Sequence, residues 1–337
     1  MTVGSATGFA TGAQVLFHQT QAATGPVGVY EFATVAGVAG VTLTLTRPLV
    51  NSYVTDATHA AQVLVVPQYT TVTVSAGATL TAPAWNGSVG GILVFDAASV
   101  VNAGNITMSA NGFRGGSTAL VCGSHCVIGH NGESAIGVGA ALSITANGAG
   151  GGGGAQGQDC GMGGGGGYAT AGGVGVNNTT GACIANSTNS AGGVVDGTTD
   201  LATEVLFGGG GGEGGRDEDG GNPGAGGAGG GLVFIRTGTI TVSGTITSAG
   251  GIGGSGNNNC AGGCGMGGGG GGAGGAIRLQ ASTTAALGTN LVTAIGVVGG
   301  TCTCGATNSG TGGNGRIGVL APAAGITGTT NPVADPE

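Results

Sequence analysis

The sequence predicts an all-β protein: an N-terminal β-sandwich or β-solenoid part, followed by a glycine-rich body built of polyglycine II helices or solenoid repeats. Three observations carry this. β-Branched runs alternate with period two in the first third of the chain. Of 337 residues, 85 are glycine, many in unbroken tracts. No stretch has the 3.6-residue apolar periodicity and end caps of a helix.

Residues 1–28 are small and polar and read as an arm or attachment segment. They show neither the basic nor the apolar part of a secretory leader, so the expectation is a removed leader or another route out of the cell, such as a virion released by lysis. Residues 29–108 read as a β-rich domain. VTLTLT (41–46) and TVTVSAGATL (71–80) alternate apolar and hydroxyl residues, while QVLVV (62–66) and GILVFDA (91–97) are short apolar runs bounded by turn signals. Such spacing favours half-buried strands. Pro48, Pro67 and Pro83 punctuate them.

Residues 109–325 read as the repeat body, and 326–337 as a tail. Near its start NITMSANGFRGG (105–116), SITANGAGGGGG (143–154) and TITSAGGIGGSG (245–256) echo one another. So do DCGMGGGGGY (159–168) and GCGMGGGGGG (263–272), and GGGLVFIRTGTITVSG (229–244) and GGAIRLQAS (274–282). Self-similarity of this kind marks stacked repeats. A glycine loses roughly 1–2 kcal/mol of backbone entropy on ordering, so such tracts order only if packing returns that cost. Extended left-handed helices without Cβ atoms approach closely enough to exchange main-chain hydrogen bonds. The competing reading, a solvated linker, has no use for the β-branched runs between the tracts. Collagen is excluded by the irregular spacing and by only eight prolines.

Charge narrows the partners. The net charge is −8, lysine is absent, and the six arginines are scattered. Nucleic acid is excluded for want of a basic cluster, and no run is apolar and long enough to span a membrane as a helix. The eight cysteines, Cys122, Cys126, Cys160, Cys183, Cys260, Cys264, Cys302 and Cys304, are disulfide candidates suited to an oxidising compartment, in connectivities the spacing leaves open. Cys122, His125, Cys126 and His130 offer zinc-type donors, but their spacing matches no established zinc motif. A local Cys122–Cys126 bridge is the preferred reading, and no metal or cofactor is expected.

Catalysis has one candidate, the charged run Arg216-Asp217-Glu218-Asp219. Paired carboxylates serve glycosidases, yet nothing nearby supplies the apolar pocket that raises one of them. The run reads as a solvated loop tip, and the chain as a non-enzyme.

Glycine tracts at 148–154, 161–167, 208–215, 220–231 and 265–275, separated by loops of unrelated composition at 168–207, 216–219 and 252–264, resemble the tip adhesins of phage long tail fibres. The resemblance implies a sandwich of polyglycine II helices whose variable loops bind the host. It covers residues 85–320; the cysteines and the β-rich start depart from it. It implies an extracellular or virion location, a host-surface carbohydrate or outer-membrane protein as target, and other virion subunits or further copies of the chain as partners. Tyr168, Phe207 and Arg216, with Asp217, Glu218 and Asp219, are the receptor-binding candidates, since aromatic and arginine side chains commonly anchor interfaces. Two other classes remain open: a subunit of a self-assembling extracellular filament, and a polysaccharide-degrading enzyme on a β-solenoid.

Overall fold

The computed structural model describes residues 1–117, 128–137, 141–148, 150–155, 161–176, 188–215, 222–256, 266–302 and 308–335. The molecule is all-β, its sheets curling into a near-barrel. A single 3-10 turn, Ala323–Gly325, is the only helix among the described residues.

The alternating N-terminal runs form an antiparallel sheet. Its strands are β1 (Gln14–Ala22), β2 (Tyr30–Ala39), β3 (Thr42–Leu45) and β4 (His59–Val65), in the order β3-β2-β1-β4. β1 is the most buried of them and pairs with both β2 and β4. The stretch 1–28 is therefore not simply an arm: it supplies a central strand of the sheet.

The later apolar runs form a parallel sheet of β5 (Gln68–Val74), β6 (Thr79–Leu80), β7 (Ile92–Asn102), β8 (Asn105–Thr107), β9 (Leu232–Val242), β10 (Thr245–Thr247) and β11 (Ala276–Thr293). The order is β5-β7-β9-β11-β10-β8-β6, with β12 (Arg316–Leu320) and β13 (Ile326–Asn331) paired to β11. The echoes 105–107 and 245–247, and 229–244 and 274–282, are stacked side by side, whereas the echo at 143–154 joins no strand. Leu93, Val233, Ile277 and Ile317 form one inward column, and Phe95, Ile235, Leu279 and Val319 the next, in a single apolar core. Thr247 donates to Thr107 at 2.7 Å and Thr245 to Asn105 at 2.9 Å, tying equivalent positions of two echoes. β13 lies within the stretch read as a tail, and it extends the sheet instead.

A second core joins the two sheets to the glycine tracts. It gathers Leu16 and Tyr30 from the antiparallel sheet and Phe234 from the parallel one. Trp85, Phe113, Tyr168, Leu206, Phe207 and Ala273 come from the ends of tracts and loops.

The tracts belong to no strand, yet they are buried and bonded with period three. In 208–215, the amides of Gly208, Gly211 and Gly214 donate to the carbonyls of Gly230, Gly227 and Gly224, each at 2.9 Å. Those of Gly209, Gly212 and Gly215 donate to Gly167, Gly164 and Gly161. Those of Gly210 and Glu213 donate to Glu133 and His130. Carbonyls of the same tract accept from Ala273, Gly270 and Gly267, from Gly152 and Ala155, and from Gly116. One extended segment thus donates in three directions and accepts from three others.

Tract 267–275 repeats the pattern. It donates to 209–215, to 310–313 and to 248–254, and accepts from 163–166, 224–230 and 297–300. Tract 161–167 does likewise: its partners are 268–271, 150–153 and 173 as acceptors, and 209–215, 310–313 and 193 as donors. These three tracts are buried along their length. A main-chain hydrogen bond contributes about 0.5–1.5 kcal/mol net, comparable to the entropy each glycine loses. Order therefore depends on pairing nearly every amide and carbonyl.

Candidate functional site at one end of the glycine tracts

The bonding fixes which tract ends lie together. Gly215 donates to Gly161 and accepts from Gly267; Gly224 donates to Gly267; Gly256 donates to Thr301; Val176 donates to Asn308; and Ala155 bonds to both Glu213 and Gly129. Thr301 and Asn308 bridge to each other. The described segments that end at residues 117, 155, 176, 215, 256 and 302, and those that begin at 128, 161, 188, 222, 266 and 308, have these ends gathered together. The opposite ends of the interior tracts run into the aromatic core, through Tyr168, Phe207 and Ala276.

The segments between these points, 118–127, 156–160, 177–187, 216–221, 257–265 and 303–307, lie outside the described residues. With them lie Arg216, Asp217, Glu218 and Asp219, and the candidate cysteines 122, 126, 160, 183, 260, 264 and 304. Cys302 is described. It is buried against Met162, one of two methionines, Met162 and Met266, held at matching positions of the echoed tracts.

Tyr168 and Phe207 are corrected. Both were expected to face a receptor, and both are 2% exposed. The hydroxyl of Tyr168 accepts a hydrogen bond from the amide of Leu206, and Arg316 lies 5.5 Å from its ring centre. Burial pushes the Tyr168 hydroxyl above its usual range. Phe207 packs against His18, Trp85 and Phe113. The boundary between an apolar segment and a glycine tract is where a tract enters the core. A tract bare of side chains needs bulky residues at its end to fill the space beside the sheets.

The outward positions carry a signal that the sequence reading missed. Ala225 and Ala228, Ile252 and Ser255, Val298 and Thr301, and Thr311 and Asn314 each recur three residues apart on the outermost segments. Ile252 is 70% exposed and Val298 58%. Gly224, Gly227 and Gly230, and Gly250, Gly253 and Gly256, are buried between them. AGGIGGSG and GAGGAGG are X-Gly-Gly triplets: the hydrogen bonding recurs every third residue, and the side chains fall on the one outward position of each triplet. The interior tracts have no free face, and the few side chains they carry, Met162, Glu213 and Ala273, are themselves buried.

Charge inside the molecule is paired. His130 Nδ1 lies 2.8 Å from Glu213 Oε2, whose carboxylate also accepts the His130 amide. The contact engages Nδ1 of His130 alone, and Cys122, His125 and Cys126 of the zinc-type set lie outside the described residues. Arg114 pairs with the buried Glu133. A looser group surrounds Arg316, which is 3.7 Å from Asp335 and has its Nε buried without a partner among the described residues. Burial raises the carboxyls of Asp196 and Glu204 there, and that of Asp335, against the lowering pull of Arg316. Two surface clefts flank the antiparallel sheet. One is lined by Phe9, Phe17, Tyr53 and Asn86, the other by Gln19, Asn51 and His59, and neither is lined by a carboxylate. Among the described residues, no group of three or more histidine, cysteine, aspartate or glutamate side chains is placed to hold a metal ion.

No family model, curated protein or solved structure matches the chain.

Proposed function

We propose that the chain is a structural and adhesive protein, of the tail-fibre tip or receptor-binding type, in which a polyglycine II body carries recognition loops away from a β-solenoid base. One observation carries the reading: the described segments flanking six connections have their ends together at one end of the bundle, while the other end runs into the aromatic core. The three interior tracts, each bonded on all sides, support the polyglycine II assignment. This lattice is rigid because every segment is restrained from several directions, and rigid scaffolds carrying variable loops are a common plan for recognition. The connections hold the polar and charged run 216–219 and seven of the eight cysteines. Disulfides there would restrain loops whose composition is free to vary. A carbohydrate or an exposed outer-membrane protein loop on a host surface is the target class, and the location is extracellular or virion.

The test is binding of the purified chain to an array of bacterial surface glycans and to outer-membrane vesicles. Replacing Arg216, Asp217, Glu218 and Asp219 together by serine is expected to weaken capture at least ten-fold with an unchanged circular dichroism spectrum. Cleavage of a polysaccharide that is lost in the Asp217→Asn, Asp219→Asn variant would instead establish the enzyme.

A further inference from the structure

The parallel sheet ends in two open rows. At one end lie β5 and β6, bonded only to β7 and β8. At the other lie β12 and β13, bonded to β11, with Asp335 bridging to Gly318. Residues 68–71 and 326–329 are exposed. Neither QYTTVTV nor ITGTTN contains a charge or a proline, the devices by which sheets block edge pairing. The core is less closed toward these rows: Val72 and Leu80 at one end, and Val319 and Ala321 at the other, are only partly buried against it, as are Ala82, Leu291 and Ala334. Stacked-repeat proteins ordinarily close such ends with a polar face.

We propose that these two edges pair with each other between copies of this chain, β13 of one molecule lying parallel to β5 of the next. Every strand pair of this sheet is parallel, so the union continues the ladder with the same polarity. Val72, Val100, Ile240, Ala285 and Ile326 already form one register line across the rows; the next molecule's Val72 would follow Ile326. Because the two edges differ, the contact is heterologous, and copies add end to end or close into a ring. The glycine tracts of each copy remain lateral to this axis of growth, and their loop-bearing ends stay free.

Sedimentation velocity over a concentration series, with negative-stain microscopy, tests this. The chain is expected to form species of rising mass, lost in the Thr71→Lys, Thr73→Lys variant and in the Ile326→Lys variant, each with an unchanged melting temperature. A molecule blocked at one edge keeps the other, so a small fraction of either variant added to the unsubstituted chain is expected to shorten its assemblies. The variant blocked at both edges should leave them unaltered. A monomer at the highest attainable concentration overturns the proposal, as does a closed dimer indifferent to these substitutions. Glycan binding is read separately, so loss of assembly and loss of recognition are distinguishable.

Discussion

His18 sits with no exposed surface between the antiparallel sheet and the segment leading into tract 208–215. Its Nε2 bonds the Val205 carbonyl at 2.9 Å and its Nδ1 lies 2.8 Å from the Thr20 hydroxyl. With Nε2 protonated and donating to the carbonyl, Nδ1 accepts from Thr20, so the ring is bonded on both sides while neutral. Burial lowers its pKa from 6.5 to about 4, with the Val205 bond opposing the shift. A folded-state value below the unfolded one means that the unfolded chain binds the proton first as pH falls. The associated stability is complete above about pH 6.5 and is lost progressively toward pH 4, by roughly 3 kcal/mol. The raised carboxyls near Arg316 act with the opposite sign at the acid end, since the folded chain takes up their protons first. Comparison with the His18→Gln variant separates the two: urea denaturation between pH 4 and 7 should show a shallower loss in the variant. Equal slopes would remove His18 from the account. Nothing in the sequence around residue 18 announced this role, because the bonding partner lies 187 residues away.

At the scale of the element, glycine is required on an interior tract wherever a neighbouring backbone occupies the place of a Cβ. A Cβ on Gly212 would fall on the carbonyl oxygen of Gly153, and one on Gly270 on that of Gly164. Gly212→Ala is expected to lower stability by about 3 kcal/mol or more, because backbone rather than a flexible side chain must move. Ile252 occupies the outward face of a surface segment, and Ile252→Ala should change stability by about 0.5 kcal/mol or less. Thermal denaturation of both variants checks the contrast; similar losses would refute the distinction between interior and outward positions. The strands were legible because period two and β-branching report directly on a half-buried sheet, and the echo of 229–244 with 274–282 proved to be lateral pairing of β9 and β11. The X-Gly-Gly triplets are equally present in the sequence, but their runs are too short to stand out against the strict repeat of collagen. Which tract is interior was legible only as the difference between GGGGG and GGIGG. Tyr168 and Phe207 were misplaced because a tract boundary looks the same whether it faces solvent or core.

At the scale of the whole molecule, few conventional core residues hold the larger part of the chain. The main apolar cores lie between and within the sheets, at the sealed end of the tracts, and on the antiparallel sheet around Val15 and Phe17. Beyond them, order rests on the main-chain bonds that link segments distant in sequence, such as Gly163 to Gly268 at 2.9 Å. A lattice of this kind is cooperative: removing one segment unpairs donors and acceptors on all its neighbours, so the block should open as one unit. The proposed adhesive role requires that stiffness, since loops held at one end present a fixed surface only if the bundle does not fray. Hydrogen–deuterium exchange, resolved to peptides covering 161–167, 208–215 and 267–275, tests this most directly. The account predicts that these glycine amides exchange as slowly as those of β7, β9 and β11 and are released together with them on global unfolding. Exchange at the rate of an unstructured peptide in those three tracts would contradict it.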